Sequence, residues 1–194
     1  MAEIKNERQP EASVDPMFPD RWSPRAFSDK PVSEDDLKSI LEAARWSPSC
    51  YGEQPWRFIY ATTEEDRERF VDTLVEANKE WAADAPVLMF IAAKTSFTFN
   101  SRENWWARFD CGAAWMAMAL QARKLGLYTH AMAGFDKDKA AELINLPKGY
   151  DMCTVVAIGY MGDPDDLPDH YKLMEQPNQR RHLNEISCEG TFSL

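Results

Sequence analysis

The sequence predicts an α+β or α/β sandwich, with the order of its strands left open. Strand-length apolar runs recur along the chain, and segments with helical periodicity and their own start and stop signals separate them. Hydrophobic residues make up 44% and charged residues 28%, enough apolar material for a packed core. At 194 residues the chain has the length of one domain, with some left for arms or a partner.

Residues 1–19 lack the apolar core of a signal peptide and read as a solvated arm. The first clear helix starts at Ser33, a hydroxyl N-cap followed by Glu34, Asp35 and Asp36 where the helix dipole favours acids. Leu37, Ile40, Leu41 and Ala44 then form one buried stripe, and Pro48 ends the pattern. Ser49 to Gln54 is a loop, and Pro55 leads into the strand-like run Trp56 to Tyr60. A second helix is predicted from Thr62 or Thr63 towards Pro86, carrying Phe70, Val71, Leu74, Val75 and Trp81. Val87 to Ala92 reads as a strand covered on both faces.

Thr95 to Arg108 mixes aromatic and polar residues without a clean period in its first half. A long helix follows from Glu103 or Ala107 to Leu125, with Gly126 as a left-handed cap. Small residues crowd its middle, which permits close packing in the core or at a subunit interface. Tyr128 to Phe135 is a predicted strand, Asp136 caps a short helix that Pro147 ends, and Cys153 to Tyr160 is another buried strand. Beyond Gly162 the periodicity collapses, so that segment is expected to be an extended arm lying on something else.

The formal net charge of −10 argues against nucleic acid or an anionic membrane as partner. No apolar run approaches the roughly 18 residues that span a bilayer. The four cysteines are far apart with no C-x-x-C pair, so neither a disulfide framework nor a metal site is expected, and a cytoplasmic setting is the default. Dinucleotide, P-loop, serine-hydrolase and zinc-protease motifs are all missing, which points to chemistry carried by a cofactor. Two basic islands stand out against the acidity: Arg21, Ser23 and Arg25 within five residues, and Arg180-Arg181-His182 at the far end. Arginine forks and a hydroxyl suit a phosphate. Taken alone, each island reads first as solvated surface arginines offsetting nearby acids.

In order, the pieces stop looking independent. Arg-x-Ser-x-Arg-x-Phe precedes Pro-Val, a capped helix, Ala-Arg-x-x-Pro-Ser and Gln-Pro-Trp-Arg-Phe. Asp84-Ala85-Pro86, Asp110-x-Gly112-Ala113-Ala114, Leu125-Gly126-Leu127, Ala133-Gly134-Phe135, Val156 to Tyr160, and Arg180-Arg181 leading into Leu183 to Ile186 continue the series. Together they closely resemble the FMN-dependent nitroreductase family, over about Asp20 to Ile186.

The resemblance implies an α+β fold whose central sheet, mostly antiparallel or mixed, is flanked by helices. It implies a core over residues 20–162 and a C-terminal arm over 163–194 that extends onto a homodimer partner and completes a flavin site. Arg21, Ser23 and Arg25 match positions that hold the phosphate and ribityl chain of FMN, with Trp22 giving backbone contacts. Arg180, with Arg181, matches a basic position closing on the same phosphate. Pro48, Ser49 and Cys50 match a loop that the partner lays against the isoalloxazine ring, and Asn78 matches an asparagine at that ring's polar edge. Ala133 and Gly134 match a strand end whose backbone N–H approaches flavin N5, where a donor tunes the cofactor.

The loop departs from its relatives: Gly52 stands where asparagine is common, and Cys50 where serine is common. With Tyr51, these changes bear on substrate preference, and Cys50 reads as a small packing residue. The implied reaction is ping-pong: NADH or NADPH reduces FMN and is replaced by a small aromatic or quinone-like acceptor, a nitroaromatic, quinone or activated alkene. No catalytic side chain is identified. Phe97, Phe99, Trp105 and Trp106 are expected near the acceptor, with packing against a dimer core as the equal alternative. Other flavin chemistry on the same fold, such as reductive dehalogenation or ring dehydrogenation, and a non-catalytic flavin-binding dimer are the rival readings.

Overall fold

The computed structural model describes residues 4–193. In chain order the elements are α1 (Met17–Asp20), α2 (Glu34–Arg45), β1 (Trp56–Ala61), α3 (Glu64–Val71), α4 (Glu76–Ala82), β2 (Val87–Lys94), α5 (Ala107–Lys124), β3 (Tyr128–Met132), α6 (Lys137–Leu143), β4 (Tyr150–Gly159) and α7 (Asp169–Lys172). The four strands form one sheet in the order β1-β2-β4-β3, and every neighbouring pair is antiparallel.

Strand periodicity divides the core into two halves. On β2, Val87, Met89, Ile91 and Ala93 face the layer of α2 and α5, where Ile40, Ala44, Ala114 and Met118 are fully buried. Leu88, Phe90 and Ala92 face the other way, against Phe70, Trp81, Ala82 and Ala140 from α3, α4 and α6. Phe70 stacks on Phe90 with ring centroids 4.1 Å apart. The sheet is covered on both sides, which accounts for the unbroken apolar run of β2.

The local signals for helix ends operate as expected. Ser33 Oγ accepts from the Asp36 N–H at 3.0 Å, Asp136 caps α6, and Gly126 takes the left-handed conformation (φ 78°) after α5. None of the helices among the described residues is long and apolar enough to cross a membrane.

Three elements differ from the sequence reading, each because a distant partner intervenes. The helix expected from Thr63 towards Pro86 is two helices, broken where Leu74 bridges Phe135 and the Val75 N–H donates to the Gly134 carbonyl at 3.1 Å. The same contact ends β3 at Met132 rather than at Phe135. Strand β4 starts at Tyr150 rather than Cys153 because Lys94 pairs with Tyr150 past a register shift at Ile91/Ala92. After Gly162, Leu167 and Tyr171 are buried in the core, and the Tyr171 hydroxyl donates to the Ala77 carbonyl.

Candidate functional site

The segment Arg21–Ala26 is fixed from several directions. Asp20 pairs with Arg123 of α5 at 2.8 Å, and Trp22 packs edge-on against Tyr128 of β3. The Pro24 carbonyl accepts from Nδ1 of His130 at 2.8 Å, a bond that requires the proton on that nitrogen. Glu175, whose side chain is fully buried, accepts the N–H groups of Arg25 and Ala26 at 2.7 and 2.8 Å. A helix, the sheet and the C-terminal segment therefore set where these guanidinium groups stand.

Arg21, Ser23, Arg25 and Arg180 line one open cavity of about 560 Å³, together with Arg8, Trp22 and His130. The two basic islands of the sequence meet here. Arg21 is buried, and its terminal nitrogen donates to Ser23 Oγ at 3.3 Å. Burial first and the charge of Arg180 second lower the pKa of Arg21 below its ordinary value. Arg8 is lowered by burial, then by Arg180 and Arg21. Guanidinium groups stay protonated under such pressure, so the cavity concentrates positive charge in an acidic protein. His130 adds none near neutral pH, because burial pushes its pKa down to about 4. Arg181 does not line this cavity; it lines the neighbouring one, with His182 and the N-terminal residues.

Asn78 and Gly134 also come together. Asn78 Nδ2 donates to the Gly134 carbonyl at 2.9 Å. A Cβ on Gly134 would lie 2.7 Å from Val75 Cγ2 and 2.8 Å from Asn78 Nδ2, so this close approach requires glycine. Ala133 is exposed at the strand end, and among the described residues the Gly134 N–H has no protein acceptor.

Pro48, Ser49 and Cys50 do not line the arginine cavity of their own chain. Their loop is shaped by consecutive left-handed residues, Tyr51 (φ 53°) and Gly52 (φ 64°), followed by Gln54 (φ 51°). It is anchored by buried Asp110, which accepts the Cys50 N–H at 3.0 Å, and by Glu53, which pairs with Lys94 at 3.1 Å. Tyr51, Phe97 and Phe99 form a three-ring cluster with centroids 5.3 to 5.7 Å apart. Trp106 lies outside it, packed edge-on against Phe109, and Trp105 is 81% exposed.

The sequence reading missed Arg8, His130, Glu175 and Asp110 as site-building residues. Arg8 sits in a segment that reads as a solvated arm, and Glu175 in a proline-interrupted stretch without period. His130 and Asp110 carry no local sign of the backbone groups they hold; only the aspartate at the head of α5 was part of a motif.

Comparisons with known proteins agree with this architecture. The model of the Nitroreductase family matches residues 19–80 and 72–160. A protein of Archaeoglobus fulgidus, provisionally named NADH dehydrogenase/NAD(P)H nitroreductase, is 28% identical over 165 residues, covering 83% of this chain and 91% of its own length. A solved oxidoreductase containing FMN is 40% identical, with a TM-score of 0.93 over 98% of each chain. A nitroreductase family protein of Clostridium difficile shares the fold at a TM-score of 0.71 and 22% identity, over 91% of this chain and 97% of its own.

Proposed function

The chain belongs to the Nitroreductase family of oxidoreductases, and from that premise we propose that it binds FMN and uses NADH or NADPH to reduce nitroaromatic, quinone or activated-alkene acceptors. The observation that carries the reading is the convergence of Arg21, Ser23, Arg25 and Arg180 on one cavity in a chain of net charge −10. Forked guanidinium donors and a hydroxyl match the oxygens of a phosphomonoester, the anionic end of FMN. The FMN-containing solved relative supports the same cofactor.

In this reading Arg21, Arg25 and Arg180 hold the phosphate and Ser23 the ribityl end. The Gly134 N–H and the Asn78 side chain stand at the end of β3 to meet the polar edge of the ring. When bound there, FMN would supply the two-electron hydride chemistry that links nicotinamide and acceptor. The chain contributes binding, orientation and a donor N–H, while protons come from water.

Pro48, Ser49 and Cys50 act on the cofactor of a second copy, since they lie away from their own cavity. Trp105, Trp106 and Phe109 are 81%, 56% and 72% exposed, an unusual density of rings for a free surface and suited to a homodimer face. Tyr51, Phe97 and Phe99 then border the acceptor, with Gly52 leaving room where a side chain would stand. Cys50 packs and takes no part in electron transfer.

The test is to purify the protein, measure flavin content, and add NADH or NADPH without oxygen, followed by nitro, quinone and enone acceptors. Bleaching by a nucleotide and recovery with an acceptor are expected. A yellow protein that neither nucleotide bleaches is a flavin-binding module, and a colourless one that takes up no FMN ends the flavin reading.

A further inference from the structure

We infer that the N-terminal arm is part of the phosphate cradle, with Arg8 as a positioning residue that joins the two basic islands around one phosphomonoester; this rests on the flavin reading above. Arg8 Nε donates to the Asn178 carbonyl at 2.7 Å. One terminal nitrogen donates to the carbonyls of Pro19 and Arg21, at 3.0 and 2.8 Å, and the other to Asn178 Oδ1 at 3.0 Å. The same Oδ1 accepts from Arg180 at 2.7 Å. A single fork thus holds the backbone of Arg21 on one side and, on the other, the amide that orients Arg180.

The surrounding contacts make this a seam rather than one bond. Asn6 Nδ2 donates to the Pro19 carbonyl at 3.0 Å, and Gln179 Nε2 to the Glu7 carbonyl at 3.0 Å. Glu11 accepts the Leu183 N–H at 2.9 Å and meets the ring of His182. Arg180 is exposed, and among the described residues its side-chain hydrogen bonds are local, to Asn178 and Gln179. Its place beside Arg21 therefore depends on what holds the segment around it, and Arg8 holds Asn178 itself through two bonds. Gathering three guanidinium groups costs free energy through repulsion, which a dianion between them offsets. A lysine at position 8 keeps the charge but has no planar fork with which to reach both segments.

The experiment measures binding of FMN and of riboflavin, which lacks the phosphate, to the wild type and to Arg8→Ala, Arg8→Lys, Asn178→Ala and the Arg8→Ala/Asn178→Ala double variant. FMN affinity is expected to fall by about tenfold in each alanine variant, with riboflavin affinity changed by less than about twofold. The double variant is expected to be no weaker than the singles by more than about twofold, because both residues serve one seam. Arg8→Lys is expected to recover only a minor part of the loss. The inference is overturned by FMN affinity in Arg8→Ala within about twofold of wild type, by an equal loss for riboflavin, by additive losses, or by full rescue with lysine. If the wild type takes up neither flavin, the flavin reading falls separately. Thermal unfolding with inorganic phosphate then decides: stabilisation of wild type but not Arg8→Ala supports the seam, and any other result overturns it.

Discussion

The side-chain amide of Asn78, on α4, donates to the carbonyl of Gly134 at 2.9 Å, joining residues 56 positions apart. That bond, with the Val75 N–H on the same carbonyl, splits the predicted second helix, ends β3 and aims the strand end outward. It exists because residue 134 has no Cβ.

Gly134→Ala is accordingly expected to force Asn78 and Val75 aside. The overpacking costs about 1–3 kcal/mol, read as a lower urea midpoint with unchanged slope. An alanine variant with wild-type stability and wild-type flavin absorbance would show that the approach is looser than 2.7 Å implies.

His130 gives stability a pH dependence. Burial lowers its folded pKa to about 4 from the ordinary 6.5. The unfolded chain therefore takes up a proton at this position first as pH falls. Its contribution is complete above about pH 6.5 and is lost progressively from there towards pH 4, on the order of 3 kcal/mol in all. His130→Asn, whose amide nitrogen stands near the place of Nδ1 and can donate to Pro24, is expected to flatten urea stability across that window relative to wild type.

Glu175 holds Arg25 by its backbone. Glu175→Ala leaves the N–H groups of Arg25 and Ala26 without their acceptor and is expected to cost about 2–3 kcal/mol in chemical unfolding. Burial already raises the carboxyl pKa of Glu175, so a neutral amide suits the site better than a truncation. Glu175→Gln is expected to lose less than about half as much.

The exposed rings at the start of α5 test assembly. Trp105→Glu and Phe109→Glu place a charge on a face that the proposal buries between copies, so light scattering is expected to show monomer and the protein to lose flavin. Unchanged mass and flavin content in both variants would remove these residues from an interface.

The aromatic cluster tests acceptor choice. Phe99→Ala, at a ring 63% exposed and touching Tyr51, is expected to raise KM several-fold for bulky aromatic acceptors while hydride uptake from the nucleotide stays within about twofold. Trp106→Ala, outside the three-ring cluster, is expected to change the acceptor ranking less.

What could be read without coordinates was whatever depends on neighbours along the chain. The cap at Ser33, the stop at Gly126, the doubly covered β2 and the stripe of α2 all follow from residues within a few positions of one another. The clustering of Arg21, Ser23 and Arg25, two guanidinium groups and a hydroxyl within five residues, was legible for the same reason. Strand order, the split between α3 and α4, and the early start of β4 were not, because each is decided by a partner tens of residues away.

By itself the sequence determined an acidic domain of alternating strands and helices, with two basic islands and a motif series resembling one family. Only the tertiary structure decided that those islands share a cavity, that Arg180 enters it while Arg181 does not, and that Arg8 joins them. It also decided that the loop at Pro48 to Cys50 points elsewhere. The reason is physical: helix caps and amphipathic stripes are local free-energy choices. A cluster of like charges is held only by long-range bonds, here from Asn178, His130 and Glu175, which no local pattern records.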